Sequence, residues 1–248
     1  MILTRIFAFV WAIWGFIVFM TVVTLLTPLY AILLAIFGKR LAMTLVWWNY
    51  CFASPLIMLL IGIRLKVVGK ERIKKEKTYV FVSNHLCWID TISNASATPQ
   101  PAKFLAKSEL KKFPVFGFMV NMLGVMVDRN DKESRDRSFQ ILINELGIGN
   151  SIFIYPEGTR NRTPDLLKEF KDGAFRAAIV AQVPIAWQVL IGVKELNKNE
   201  VPFLLPGTVT VVFGEPIETT GMTEKDIPAL HQRVKNEMLG ELEKYYRT

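Results

Sequence analysis

Residues 78–90 read TYVFVSNHLCWID. The first six, Thr78 to Ser83, have the length and aromatic and β-branched content of a short buried strand. The run then breaks into a polar turn. That turn holds one of the chain's two histidines, His85, one of its two cysteines, Cys87, and an acid, Asp90. A helix is expected to begin near Trp88. Strand, polar turn and helix form the repeating unit of an α/β sheet, and the pattern recurs downstream. Residues 102–106, 125–127, 151–155, 184–190 and 208–213 read as further strands. Residues 109–122, 131–146, 172–182 and the segment from Thr223 read as helices. Thr223 and Asp226 have the spacing of a capping box, with Pro228 near the first turn. This alternation predicts a mixed, largely parallel sheet covered by helices on both faces. No linker interrupts residues 64–248, so one domain is expected over that range.

The N-terminus has a different composition. Two uncharged runs, 33 residues over 6–38 and 23 residues over 41–63, are separated only by Lys39 and Arg40. About 20 apolar helical residues cross a bilayer core, so each run is long enough to span. The first is too long for a signal peptide and lacks a cleavage signature. Pro28 is expected to kink or end the first helix. Trp47, Trp48 and Tyr50 suit a membrane interface. Residues 1–63 are therefore expected to form a two-helix membrane-anchoring hairpin. A buried hairpin of a soluble protein is the competing reading. The following segment, RLKVVGKERIKKEK (64–77), is rich in Lys and Arg and marks a cytoplasmic flank by the positive-inside rule. The expected location is the inner (cytoplasmic) membrane, with residues 64–248 facing the cytoplasm.

The formal net charge is +8, which fits an anionic membrane surface or a nucleic acid. The basic stretch lacks interleaved aromatics, so no nucleic-acid partner is expected. Two cysteines do not make a disulfide framework and suit a reducing compartment. No CxxC, HExxH or GxxxxGK[ST] pattern occurs. His231, in LHQRVKNE, reads as part of a solvated helix face. Neither a metal nor a cofactor is expected.

Two constellations could carry chemistry. His85 falls at the end of a strand, at the rim where α/β folds build their sites. Asp90 could accept a hydrogen bond from its ring, fix the tautomer and stabilise the imidazolium as His85 takes a proton. The spacing alone is equally that of a rim histidine beside a helix-start aspartate. Cys87 sits between Leu86 and Trp88 and reads as packing. The second constellation, YPEGTRNR (155–162), follows the strand SIFIY. Gly158 permits a tight turn, and Arg160 presents a planar fork suited to phosphate. Glu157 stands close enough to orient it. Lys107 and Arg129, at two other strand ends, could converge on the same anion; each alone is a surface charge.

Taken together, these segments resemble the glycerolipid acyltransferases of the PlsC type. NHLCWID (84–90) is similar to that family's NHxxxxD motif, and KSELKKFPVFGFMVNMLGVMVDR (107–129) to its second block. YPEGTR (155–160), with FKDGAF (170–175), is similar to the third block and VPI (183–185) to the fourth. The hairpin also resembles that of the bacterial 1-acylglycerol-3-phosphate acyltransferases. The resemblance implies an enzyme of phospholipid biosynthesis. It would transfer an acyl group from acyl-CoA or acyl-carrier protein to the sn-2 hydroxyl of lysophosphatidic acid, giving phosphatidic acid. His85 would be the base and Asp90 its orienting partner, without an acyl-enzyme. Lys107, Arg129 and Arg160 would hold the phosphate, in a loop shaped by Glu157, Gly158 and Thr159. Another acceptor for the same chemistry, or a non-catalytic lipid-binding protein, remains as an alternative. Where the family often has a second proline after VPI, this chain has VPIAWQV, so Trp187 is expected to alter the acyl or acceptor pocket. The apolar segment 113–123 is expected either to face lipid beside the site or to pack in the core.

Overall fold

The computed structural model describes residues 2–128, 130–197 and 203–246; the side chains of Lys39, Arg40, Pro114, Phe116 and Leu123 lie outside the described ones. Among the described residues, seven strands form one sheet: β1 (Ile63–Val68), β2 (Val80–Ser83), β3 (Ala102–Lys107), β4 (Gly124–Val127), β5 (Ser151–Ile154), β6 (Ile185–Ile191) and β7 (Gly207–Phe213). Their order is β1-β7-β6-β2-β5-β3-β4. Every neighbouring pair is parallel except β6 and β7. The expected mixed, largely parallel sheet is the observed one. The expectation from sequence did not include β1, whose residues read as a basic flank. Its cations Arg64 and Lys66 are exposed while Ile63 is buried, the pattern of a charged edge strand.

Period-two alternation sorts the central strands between two cores. On one face Val80, Val82, Ile152, Ile154, Ile185 and Val189 pack against α4 (Lys132–Gly147), α5 (Gly173–Ala181) and α7 (Ile227–Tyr246). On the other, Phe81, Phe153, Ala186 and Leu190 pack against α2 (Ile89–Ala97) and the N-terminal helix α1 (Ile2–Leu60). Thr223 and Asp226 form the expected capping box ahead of α7.

Helix α1 doubles back on itself. Its two arms, Ile2–Gly38 and Leu41–Leu60, are each long and apolar enough to cross a membrane. The reversal falls at Gly38, with φ 69° and ψ 171°, a conformation open to glycine. Pro28 was expected to kink or end the first helix; it does not end it, since it sits inside the first arm and the non-helical residue comes ten positions later. The arms are latched by side chains. The indole N–H groups of Trp11 and Trp14 donate to the carbonyls of Ile61 (2.9 Å) and Leu60 (3.0 Å), which the helix end leaves without partners. The Tyr30 hydroxyl donates to Asn49 Oδ1 at 3.0 Å. The inner stripe of the hairpin is buried, yet Phe16, Phe52 and Leu59 on its outer side stand well exposed.

The apolar segment after β3 divides into a 3-10 turn (Ser108–Lys112) and helix α3 (Pro114–Leu123). Met119 and Met122 pack with Val23, Tyr30, Met43 and Val46 of both α1 arms. Phe113, just before α3, is exposed.

Candidate active site

The parallel strands β2 and β5 deliver their C-terminal ends side by side, and each feeds a polar loop. The β2 end is fixed by Asn84. Its side chain donates to the Leu190 carbonyl (3.0 Å) and accepts from the Leu190 amide (2.7 Å), extending the ladder to β6 by one side chain. His85 follows immediately. Its main chain is held from the β5 side: its N–H donates to Glu157 Oε1 at 2.8 Å, and its carbonyl accepts from the Asn161 N–H at 2.6 Å.

The His85 ring is oriented by Asp90. Nδ1 lies 2.8 Å from Asp90 Oδ2. The same oxygen accepts from the backbone amides of Leu86 and Cys87. Asp90 is fully buried. A carboxylate gathering backbone N–H groups is an acceptor, so Nδ1 is the protonated nitrogen and Nε2 carries the lone pair. The five-residue spacing works because the turn 86–88 wraps its amides around the carboxylate that opens α2. The ring keeps 17 % of its surface exposed.

Cys87 is buried, as its apolar neighbours suggest. Burial and the nearby Asp90 charge push its thiol well above the ordinary range, which leaves it a poor nucleophile. His231 is not on a solvated face. Its ring stacks on Phe175 (centroids 5.0 Å apart) between α5 and α7, with Asp172 Oδ1 2.9 Å from Nδ1. The apolar face of α5 makes this a packing site. Among the described residues, no group of His, Cys, Asp and Glu could hold a metal ion.

The loop after β5 supplies two of the cations, Arg160 and Arg162. Gly158 adopts φ 72°, and its N–H returns to the Tyr155 carbonyl at 3.0 Å to close the turn. Glu157 is buried, and its two oxygens accept from the amides of His85 and Lys168. It therefore braces the loop against His85, whereas the sequence suggested it would orient Arg160. Burial raises its carboxyl above the usual range, an effect opposed by those amides. Thr159 Oγ1 accepts from the Lys168 ammonium at 2.6 Å. Arg160 lines a cleft with Leu86, Asn161, Arg162, Lys194 and Asn197. The cleft thus combines three cations with two amide side chains. Lys194 is held in place by the Asp165 carbonyl at 2.7 Å.

Other expected residues stand elsewhere. Lys107 ends β3, and its ammonium is paired with Glu109 at 2.6 Å on an exposed face. Arg129 lies outside the described residues. Trp187 was expected to shape a substrate pocket, but it faces α7, where its indole donates to Glu237 Oε2 at 2.8 Å within the opposite core. Alternation on β6 puts it on that face, while Ala186 and Gln188 point toward α2. Asn161, Arg162 and Lys194 were not singled out from sequence. Asn161 and Arg162 follow directly on the quoted YPEGTR; nothing local marks Lys194, which arrives from β6.

The chain is similar to several known proteins. The sequence profile of the acyltransferase family matches residues 64–187. A human 1-acyl-sn-glycerol-3-phosphate acyltransferase beta is 34% identical over 171 residues, covering 68% of this chain and 61% of the human protein. The corresponding acyltransferase of Saccharomyces cerevisiae is 29% identical over 195 residues, covering 77% and 64%. The matched region therefore spans less than two thirds of these relatives' own length. The crystal structure of the 1-acyl-sn-glycerophosphate (LPA) acyltransferase PlsC from Thermotoga maritima superposes with a TM-score of 0.83 at 19% identity, covering 99% of this chain and 98% of that one. At that identity the superposition establishes a shared fold.

Proposed function

We propose that this chain, which belongs to the acyltransferase family, moves a fatty acyl group from a thioester donor, acyl-CoA or acyl-carrier protein, to the sn-2 hydroxyl of lysophosphatidic acid. One observation carries the mechanism: the 2.8 Å contact of His85 Nδ1 with a fully buried Asp90, which leaves Nε2 as the basic nitrogen at the rim. His85 Nε2 takes the acceptor's hydroxyl proton as its oxygen attacks the thioester carbonyl. The new C–O bond forms, the C–S bond breaks, and the proton passes to the leaving thiolate. Asp90 offsets the positive charge that builds on the imidazole. No residue carries the acyl group, which agrees with the protonated, buried Cys87.

Arg160 holds the acceptor phosphate from the cleft beside Leu86, with Arg162 and Lys194 adding positive charge. Lys107, paired with Glu109 away from that cleft, is left out of the set. Glu157, Gly158 and Thr159 keep the loop in shape. Positioning of this kind lowers the barrier by removing the entropy cost of bringing two substrates together.

Residues 1–63 anchor the protein, and residues 64–248 carry the chemistry. A soluble hairpin would bury its apolar surface, whereas both arms of α1 keep large side chains exposed. The basic flank beginning at Arg64 supports a catalytic part facing the cytoplasm at the inner membrane. The test is a panel of acceptors supplied to the purified, detergent-solubilised protein with a long-chain acyl thioester. Lysophosphatidate is expected to be acylated in preference to lysophosphatidylcholine and glycerol 3-phosphate. Failure to acylate lysophosphatidate overturns the proposal.

A further inference from the structure

The His85 ring has a second neighbour that the mechanism above leaves unused. The Tyr155 ring lies parallel to it, with centroids 4.0 Å apart and planes 16° from each other. We propose that Tyr155 is a positioning residue for His85: its ring face sets the plane of the imidazole and stabilises the imidazolium formed during transfer. The inference rests on the reading of His85 as the base.

The physical argument starts from what Asp90 can do. A hydrogen bond at Nδ1 fixes one corner of the ring. The terminal torsion of histidine is broad, so the ring can still swing about that contact and carry Nε2 off line. A flat surface against one ring face removes that freedom. An aromatic face also carries negative potential, which attracts a cation held within about 6 Å of its centroid. The interaction is stronger with imidazolium than with neutral imidazole, so it grows as the proton arrives. That is the property required of a group that assists the transition state.

Tyr155 is itself held. Its hydroxyl accepts from Asn94 Nδ2 at 3.1 Å and has Thr91 as a second hydrogen-bonding neighbour. Asn94 Oδ1 accepts in turn from Gln188 Nε2 at 2.6 Å. Asn94 and Gln188 are fully buried. A polar chain thus runs from the centre of β6 through α2 to the Tyr155 hydroxyl. It sits under the site, in a layer otherwise filled by Phe81, Phe153 and Ile92. Buried amides in an apolar layer are costly unless paired; both groups of the Asn94 amide are paired, one with Gln188 and the other with the hydroxyl of the ring that His85 rests on.

The test uses Tyr155→Phe and Tyr155→Leu in the full-length protein, with steady-state acyl transfer to lysophosphatidate across pH. Phenylalanine keeps the ring face; leucine removes it. Tyr155→Leu is expected to lower kcat roughly tenfold, with acceptor KM unchanged within about twofold. Tyr155→Phe is expected to stay within about threefold of the parent. The pH profile adds a readout that a merely structural role would not move. Loss of a face that favours imidazolium is expected to move the acidic limb of kcat/KM to lower pH in Tyr155→Leu relative to the parent. The other groups around the ring, Asp90, Cys87, Glu157 and Arg160, are the same in both variants, so the movement reports the ring face. A leucine variant with the parent's kcat and profile overturns the proposal, as does a phenylalanine variant as impaired as the leucine one. Should leucine prevent folding, proton NMR of the parent protein decides. With two histidines in the chain, His231→Gln assigns the His85 ring protons. Upfield-shifted signals support the stack, and signals at unstacked positions refute it. The His85→Ala variant tests the base itself, so failure of that reading is distinguishable from failure of this one.

Discussion

Replacing Asp90 by asparagine removes a charge with little change of shape. In the parent, Oδ2 faces His85 Nδ1 at 2.8 Å and also accepts from the amides of Leu86 and Cys87. The asparagine carbonyl can still meet those three donors. Its amide group then points toward the Cys87 sulfur, which lies 3.7 Å from Oδ1 in the parent. The fold should therefore survive, while the attraction between carboxylate and imidazolium is lost. With about 4 Å between the two charge centres and an effective dielectric of about 20, that attraction is about 4 kcal/mol. Each 1.36 kcal/mol is a factor of ten in rate. Asp90→Asn is therefore expected to lower kcat by roughly 10³-fold, with the acceptor KM within about threefold of the parent. Thiol release from the acyl thioester measures the rate, and circular dichroism checks folding. A folded Asp90→Asn protein that keeps more than about a tenth of the parent kcat would refute the charge-stabilising role assigned to Asp90.

Three further outcomes follow from the geometry. Glu157→Gln must set an NH₂ against one of two backbone N–H donors, His85 or Lys168, so it should cost about 1–3 kcal/mol of stability, read by denaturant titration. Burial raises the Glu157 carboxyl, so the folded state holds its proton to higher pH than the unfolded chain. The parent's stability gains from this group as pH falls toward the ordinary carboxylate range and loses that gain as pH rises through the raised value; comparing the two proteins across pH should show this dependence missing in Glu157→Gln. Arg160→Ala should raise the KM for lysophosphatidate about tenfold to a hundredfold, from the loss of a charge-assisted bond of about 1.5–3 kcal/mol, and should affect a zwitterionic acceptor less. Trp187→Phe should lower stability by about 1–3 kcal/mol, seen as a fall in Tm, with acyl-chain preference unchanged because the ring lies on the α7 side of the sheet.

The central strands were legible because alternation and apolar runs are local signals, as in VFVS and SIFI. β1 was not, because Arg64 and Lys66 give it the charge of a membrane flank; the same charges protect a sheet edge. The hairpin reversal was legible from charge: Lys39 and Arg40 separate the two apolar runs, and the residue that adopts a non-helical conformation is the adjacent Gly38, while Pro28, the stronger local breaker, stays inside the first arm. His85 and Asp90 were readable as a pair since five residues of one turn bring them together. Lys194 and Gln188 reach the site from the β6 side, and only the sheet order makes them neighbours of the loop after β5. His231 shows the same limit: its helix looks polar in sequence, and its ring packs on Phe175 because α5 lies beneath. Glu157 and Arg160 are three residues apart and of opposite charge, which suggests an ion pair, yet the turn at Gly158 sends one inward to backbone amides and the other to the cleft.

The most direct measurement is the yield of phosphatidic acid from lysophosphatidate and an acyl thioester, compared between the parent protein and His85→Ala, with folding of both confirmed. Transfer through His85 predicts one phosphatidic acid per thiol released by the parent and near-complete loss of both products in the variant. Equal yields from the two folded proteins, or no phosphatidic acid from either, would contradict it.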